Sequence, residues 1–360
     1  MTGNMQYYIQ GIGMISPQKT FDNQLFLDEI STYDQNVLTS VVPDFKAYIN
    51  PIQLRRLSRM LRIGLASATI CLRDAGIDKP DGIITATGYG FLDETEKFLR
   101  EMLELKEKQL TPTHFMQGTY NALAGLEAVT IKCMGYNNTY VSKGFAFENA
   151  LQDAMMHIAE NETAHFLVGS YDEAASVQFI ASIREHHYKT EKISNLDLFN
   201  TPTLGTIQGE GSAFFDLTGV QTDNTWCVLK DSRMVYRPET TDELAVELRQ
   251  FLKENDLTLE DVDVWINGIT GDATRDARLK ELETRELKAL PQVRYKHLSG
   301  DYCTATSFAL WLGASMLKKQ HIPDIVKVNG FEMPKEIRTV LSVNHYMDRN
   351  YSFQLLHRAV

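Results

Sequence analysis

Apolar positions along the chain follow two rhythms that alternate from one end to the other. Short runs rich in β-branched and aromatic residues predict strands at 8–12, 82–87, 138–142 and 166–169. Between them the apolar spacing lengthens to that of a helix. A helix is predicted over 52–75, with Leu57, Leu61, Leu65, Ala68 and Leu72 on one stripe, and another over 116–133. A third covers 144–159, with Phe147, Leu151, Met155 and Ile158 turned inward.

After an irregular stretch from 176 to 206 the pattern restarts, with strands predicted at 211–217, 226–230, 262–267, 340–344 and 351–356. Thr240 and Glu243 carry a capping-box signature ahead of a helix to about Lys253, and further helices are predicted over 275–287 and 305–318. Strand and helix alternating on this scale predict α/β layers. The two parts also rhyme: 74–88 and 255–268 each read as a helix end, a polar turn and a buried strand running into a glycine-containing loop. A duplicated βα unit follows, with halves at 1–206 and 207–360.

Composition narrows the classes of function. The chain has 360 residues, 43% of them hydrophobic, which is enough for one large core or two fused ones. A formal net charge of −11 argues against nonspecific attraction to nucleic acid or anionic lipid. Cys71, Cys133, Cys227 and Cys303 are widely spaced with no CxxC pair, so a reduced compartment and no metal are expected. His114, His157, His165 and the His186-His187 pair have no partner at metal-ligand spacing and are read as surface or core residues. The opening segment lacks the pattern of a cleaved leader, and no later run is long and apolar enough to span a bilayer, so a cytoplasmic protein with no membrane role is expected.

Several segments, taken in order, resemble the β-ketoacyl synthases of the thiolase superfamily. Ile9-Gln10-Gly11-Ile12-Gly13-Met14-Ile15-Ser16-Pro17 is similar to that family's first strand and turn. Arg55-Arg56-Leu57-Ser58-Arg59 followed by Gly64-Leu65-Ala66-Ser67-Ala68 is similar to its early basic helix. Gln208-Gly209-Glu210-Gly211-Ser212-Ala213 resembles its G-E-G-A strand, and the segment from Leu257 to Asp263 the approach to its first histidine. The resemblance implies a five-layer αβαβα sandwich of two pseudo-duplicated halves, usually dimeric with the sites beside the interface.

It also implies where catalytic groups belong. The family's A-C-x-x-G turn falls on Tyr140-Val141-Ser142-Lys143-Gly144, so Val141 stands where a nucleophilic cysteine is expected. The H-G-T-G-T segment falls on Asn267-Gly268-Ile269-Thr270-Gly271, placing Asn267 at the first histidine. The K-x-x-x-G-H segment falls on Lys296 to Asp301, keeping Lys296 and Gly300 but putting Asp301 at the second histidine. The glycine-rich gate falls on 343–350, without glycine.

The resemblance therefore implies a non-condensing, chain-length-factor-like partner subunit in fatty-acid or polyketide type synthesis, paired with an active ketosynthase or with itself. An acyl carrier protein would be the other partner, its phosphopantetheine arm the only visiting group. Arg55, Arg56, Arg59 and Arg62 offer a basic helix face for that carrier, or a solvated face with no partner. Phe115, Tyr120, Tyr136 and Tyr140 fill either an interface or the subunit's own core. The alternative is an acyl-transferring or condensing enzyme with a displaced nucleophile, Ser142 or Cys303; Ser142 has no base placed beside it by motif.

Overall fold

A computed structural model describes residues 5–359. Ten strands form one mixed sheet: β1 (Tyr7–Ile15), β2 (Gly82–Thr87), β3 (Tyr136–Val141), β4 (Phe166–Asp172), β5 (Gly211–Thr218), β6 (Cys227–Tyr236), β7 (Val264–Gly268), β8 (Gln292–Arg294), β9 (Thr339–Tyr346) and β10 (Asn350–His357). The helices are α1 (Pro51–Leu54), α2 (Arg59–Ala75), α3 (Leu92–Glu104), α4 (Pro112–Gln117), α5 (Ala122–Ile131), α6 (Ala146–Glu160), α7 (Ser176–Arg184), α8 (Thr241–Glu254), α9 (Ala277–Arg285), α10 (Lys296–Ser299) and α11 (Thr306–Lys319).

The strand order β3-β2-β4-β5-β1-β6-β10-β9-β7-β8 reads the same way from both edges. In each half the outer three strands run parallel and the inner pairs antiparallel. The rhyming segments seen in sequence end in β2 and β7, which are second from opposite edges. β1 to β5 fill one half of the sheet and β6 to β10 the other, so its topological midpoint lies between Thr218 and Cys227. The sequence-based division at 206/207 falls before β5, whose hydrogen-bond partners are β1 and β4.

Three apolar cores define five layers. The central core joins Phe147 and Leu151 of α6 and Phe308 and Leu312 of α11 to Ile12, Ile84 and Phe215 on one half-sheet and Ile266, Val340 and Leu356 on the other. Helix α11 is buried on every side from Thr306 to Leu317, the pattern of an interior helix. The second core packs α2 and α5, through Leu65 and Leu123, on Ile83, Leu167 and Phe214. The third packs α8 and α9, through Leu248 and Leu279, on Trp265, Leu341 and Phe353.

Where elements differ from the sequence-based ones, local geometry accounts for it. The helix expected over 52–75 is two pieces: Pro51 opens the single turn α1, and α2 starts afresh after Ser58. The helix expected over 116–133 is broken at 118–121 between α4 and α5. Part of the irregular stretch at 176–206 is the helix α7, and α3 was not anticipated at all. The capping box is modified: Thr240 accepts from the Glu243 amide, while the Glu243 carboxylate accepts from Glu239 N, one residue before the cap.

Candidate functional site

Glycine at two positions lets the backbones that build the site touch. Gly209 and Gly300 face each other so closely that a side chain at Gly300 would lie 2.4 Å from Gly209 Cα, and Gly300 adopts a φ of 68° open mainly to glycine. Asp301 N donates to Ile207 O, and Gly209 N to Asp301 O, locking the segment ahead of β5 to the end of α10. This contact places Asp301 in the interior, where it is 1% exposed.

Lys296, at the start of α10, reaches across that single turn. Its Nζ lies 2.6 Å from Asp301 Oδ1 and 3.3 Å from the carbonyl of His345 at the end of β9. On the other side of the carboxylate, His187 Nε2 lies 3.9 Å from Asp301 Oδ2. His187 Nδ1 is 2.8 Å from an Arg275 Nη1. Since a guanidinium can only donate, Nδ1 accepts and the proton of neutral His187 sits on Nε2, facing Asp301. Burial, then Arg275 and Lys296, hold the His187 pKa below its usual value against the pull of Asp301.

Behind this group His345 Nε2 lies 3.0 Å from Asp276 Oδ1. Burial works to raise the Asp276 pKa, but His345 and the amide and hydroxyl of Thr270 overcome it and hold Asp276 down to about 2. The carboxylate therefore stays ionised beside His345.

Cys303 is two residues beyond Asp301 and 5% exposed. It packs against Gly88, where a Cβ would fall 2.2 Å from the Cys303 Cβ, and near Asp172. Burial and then the Asp172 charge push the Cys303 thiol well above its usual pKa. That is the reverse of what activates a nucleophile.

The turn from β3 into α6 presents a different residue from the one the motif suggests. Lys143, not Val141, holds the left-handed conformation there, with φ of 49°. A side chain on a strained strand-to-helix turn is thrust away from the backbone, and such strain concentrates at functional positions. The Lys143 ammonium stands 5.4 Å from the centre of the Tyr89 ring, and Gly144 fits against Tyr346. The turn thus packs, through Gly144, on Tyr346 of the segment that was expected to form the gate. The positive φ of Lys143 was the missing signal, and no residue type in the motif betrays it.

The expected positions do not all meet. Lys296 and Asp301 do, with Cys303 close by. Val141 lies on the far side of β3, 40% exposed, in a groove of about 710 Å³ shared with Phe98, His114, Phe115, Tyr120 and Asn137. Ser142 is exposed and its Oγ accepts from Asn149 Nδ2 at 3.0 Å; among the described residues no base bonds to it. Asn267 points into an outer layer instead, donating to Glu283 Oε2 and Gln292 Oε1, both at 3.0 Å. Strand alternation explains this, because Asn267 shares the outward face of β7 with Trp265 while Ile266 faces the central core.

The arginines also divide. Arg59 makes two hydrogen bonds, at 2.9 and 2.5 Å, to the buried carboxylate of Glu210, which also accepts from the amides of Ser40 and Ala174. Arg62 Nε donates to Leu57 O. Arg55 and Arg56 are exposed and form no side-chain ion pair among the described residues. No group of three or more metal-ligating side chains is found among the described residues, and no helix there is long and apolar enough to cross a membrane.

Comparison with known proteins bears on the whole chain. Residues 34–191 match the model of the β-ketoacyl synthase N-terminal domain. Three solved structures share the fold, each over 99% of this chain and 100% of its own. One is the ishigamide ketosynthase/chain length factor (TM-score 0.82, 16% identity). Another is a β-ketoacyl synthase from Burkholderia phymatum STM815 (0.78, 15%). The third is a type II PKS acyl-carrier protein in complex with its ketosynthase bound to the hexaketide (0.71, 14%). No curated protein matches the chain.

Proposed function

We propose that the chain, which shares the fold of the β-ketoacyl synthases and matches their N-terminal domain over residues 34–191, is a non-condensing partner subunit of an active ketosynthase. The observation that carries this reading is the Lys296–Asp301 pair. A carboxylate bonded at 2.6 Å to a buried ammonium is a charge already neutralised, with no proton to give and no affinity for an oxyanion. With Lys143 at the turn and a suppressed thiol at Cys303, the groups around that pair lack a nucleophile ready to take an acyl chain.

The partner would dock along β3. This strand is an edge of the sheet, with unpaired backbone groups along one side. Among the described residues, ten of the nineteen large apolar side chains that stand exposed fall between Leu99 and Val141, including Leu103, Phe115, Met116, Val129 and Met134. A monomer seldom leaves so contiguous an apolar region open, so a second subunit is the natural cover. Val141 and Tyr120 would then lie between subunits, where a growing chain could be measured against the groove. An acyl carrier protein with its phosphopantetheine arm would be the third component, met by Arg55 and Arg56, in polyketide or fatty-acid type synthesis in the cytoplasm.

The test is to mix the purified chain with candidate active ketosynthases and loaded carrier protein, following complex size and product length. A complex whose product length depends on this chain supports the reading. Condensation by this chain alone, or an acyl mass increment on Ser142 or Cys303 after incubation with acyl carrier protein, would establish the displaced-nucleophile enzyme instead.

A further inference from the structure

The segment between α7 and β5 carries a second buried cation that the partner-subunit reading does not use. Lys189 is 0% exposed. Its Nζ donates to Thr201 O at 3.1 Å, Thr203 O at 3.2 Å, Thr203 Oγ1 at 2.9 Å and Gly271 O at 3.1 Å. All four acceptors are neutral oxygens. An ammonium has only three N–H bonds, so four oxygens at nearly equal distance act as a coordination shell more than as a set of directed bonds. A shell of carbonyl and hydroxyl oxygens is also how proteins replace the hydration of a large monovalent cation.

Negative charge stands one group further out. The Thr203 hydroxyl, which accepts from Lys189, donates to Glu191, and Asp272 accepts from Gly205 N in the same wall. The cage is thus biased toward a cation without a direct ion pair, and burial holds the Lys189 pKa below its usual value.

The walls of the cage come from two segments that also build the candidate site. Thr201 and Thr203 belong to the stretch that carries His187, and Gly271 to the loop that carries Arg275. Thr206 joins the two near the same place: its amide donates to His187 O, its hydroxyl to Thr270 O, and its carbonyl accepts from Lys189 N. Without the ammonium, three carbonyls and a hydroxyl would face one another with nothing between them but mutual repulsion.

We propose that Lys189 is a positioning residue, a tethered ammonium in a potassium-type oxygen cage that clamps the 187–206 segment to the 269–276 loop and so holds His187 between Arg275 and Asp301. The ligand class that suits the cage when the side chain is removed is a large monovalent cation: potassium, ammonium or a primary alkylammonium. This inference requires no acyl substrate and stands apart from the partner-subunit reading.

The experiment uses full-length Lys189→Ala and Lys189→Met, with thermal midpoint and the NMR signals of the His187 ring read in potassium, sodium or methylammonium chloride at equal ionic strength. Both variants are expected to melt several degrees below the parent and to show displaced His187 signals. Potassium or methylammonium should restore midpoint and signals in Lys189→Ala, while sodium does not, and no salt should restore Lys189→Met, whose side chain fills the space without charge. Equal recovery in all three salts, or unchanged His187 signals in both variants, would overturn the proposal. If Lys189→Ala fails to fold, Lys189→Gln replaces it: displaced His187 signals support the clamp, and parent-like signals refute it.

Discussion

Lys296 Nζ and Asp301 Oδ1 are 2.6 Å apart with both side chains at most 2% exposed, so each residue carries the compensating charge that is hydrogen-bonded to the other. Removing one partner leaves an unpaired buried charge, at a cost of about 3–5 kcal/mol. Lys296→Met and Asp301→Leu should each lower stability by that order in denaturant melts. The double variant should be less destabilised than the two effects combined, since it buries no orphan charge. A strictly additive double variant would show that the pair is not coupled.

Reactivity should follow the turn and not the motif. In Lys143→Cys the new thiol lies at the strained turn on the Tyr89 side, whereas in Val141→Cys it faces the outer groove. Neither is expected to restore condensation, because Asp301 remains tied to Lys296. Native Cys303, its pKa raised by burial, should resist iodoacetamide at pH 8 and react only after unfolding. Peptide mass mapping of labelled native protein checks all three positions, and rapid native labelling of Cys303 would contradict the assignment.

Arg59 and its neighbours should separate stability from binding. Arg59→Ala removes the cation bonded to buried Glu210, and with Arg59 itself half exposed the expected loss is about 1–3 kcal/mol. Arg55→Ala and Arg56→Ala should change stability by no more than about 0.5 kcal/mol. If this face meets an acidic carrier protein, those two variants weaken its binding and flatten the dependence on salt. Titration calorimetry at two ionic strengths distinguishes the outcomes.

Glu127 is 1% exposed with neither carboxylate oxygen hydrogen-bonded, and burial raises its pKa to about 8. The folded state therefore keeps a proton that the unfolded chain releases near pH 4.5. The proton favours folding most at low pH, and stability falls as pH rises from about 5 to 8. Glu127→Gln removes that dependence and should stabilise the protein by about 2–4 kcal/mol at pH 8 while changing little at pH 4. The difference between the two urea-melt profiles isolates this group from others that titrate in the same range.

Much of the architecture was legible in the chain itself. Period-two runs located most strands and period-3.6 stripes located α2, α6, α8 and α11, because both periods are consequences of backbone geometry that any buried face must respect. The paired segments ending in β2 and β7 foretold the two-fold order of the sheet. Lys296 and Asp301 were legible as members of one six-residue motif, and a single glycine-capped turn brings them together locally.

What only the tertiary structure decided depends on long-range placement. Whether Asn267 faces a site or an outer layer turns on strand register, and one strand's pattern alone does not say which face is which. Helix α3 carries an apolar stripe at helical spacing, but that Leu99 and Leu103 on it stand exposed is a fact of the tertiary structure. Lys143 is singled out by a dihedral angle, and His187, Arg275 and Lys189 by contacts across roughly eighty residues of chain. Residue types fix what chemistry a side chain can do, but the folding of distant segments onto one another fixes which charges are neutralised, and therefore what chemistry remains.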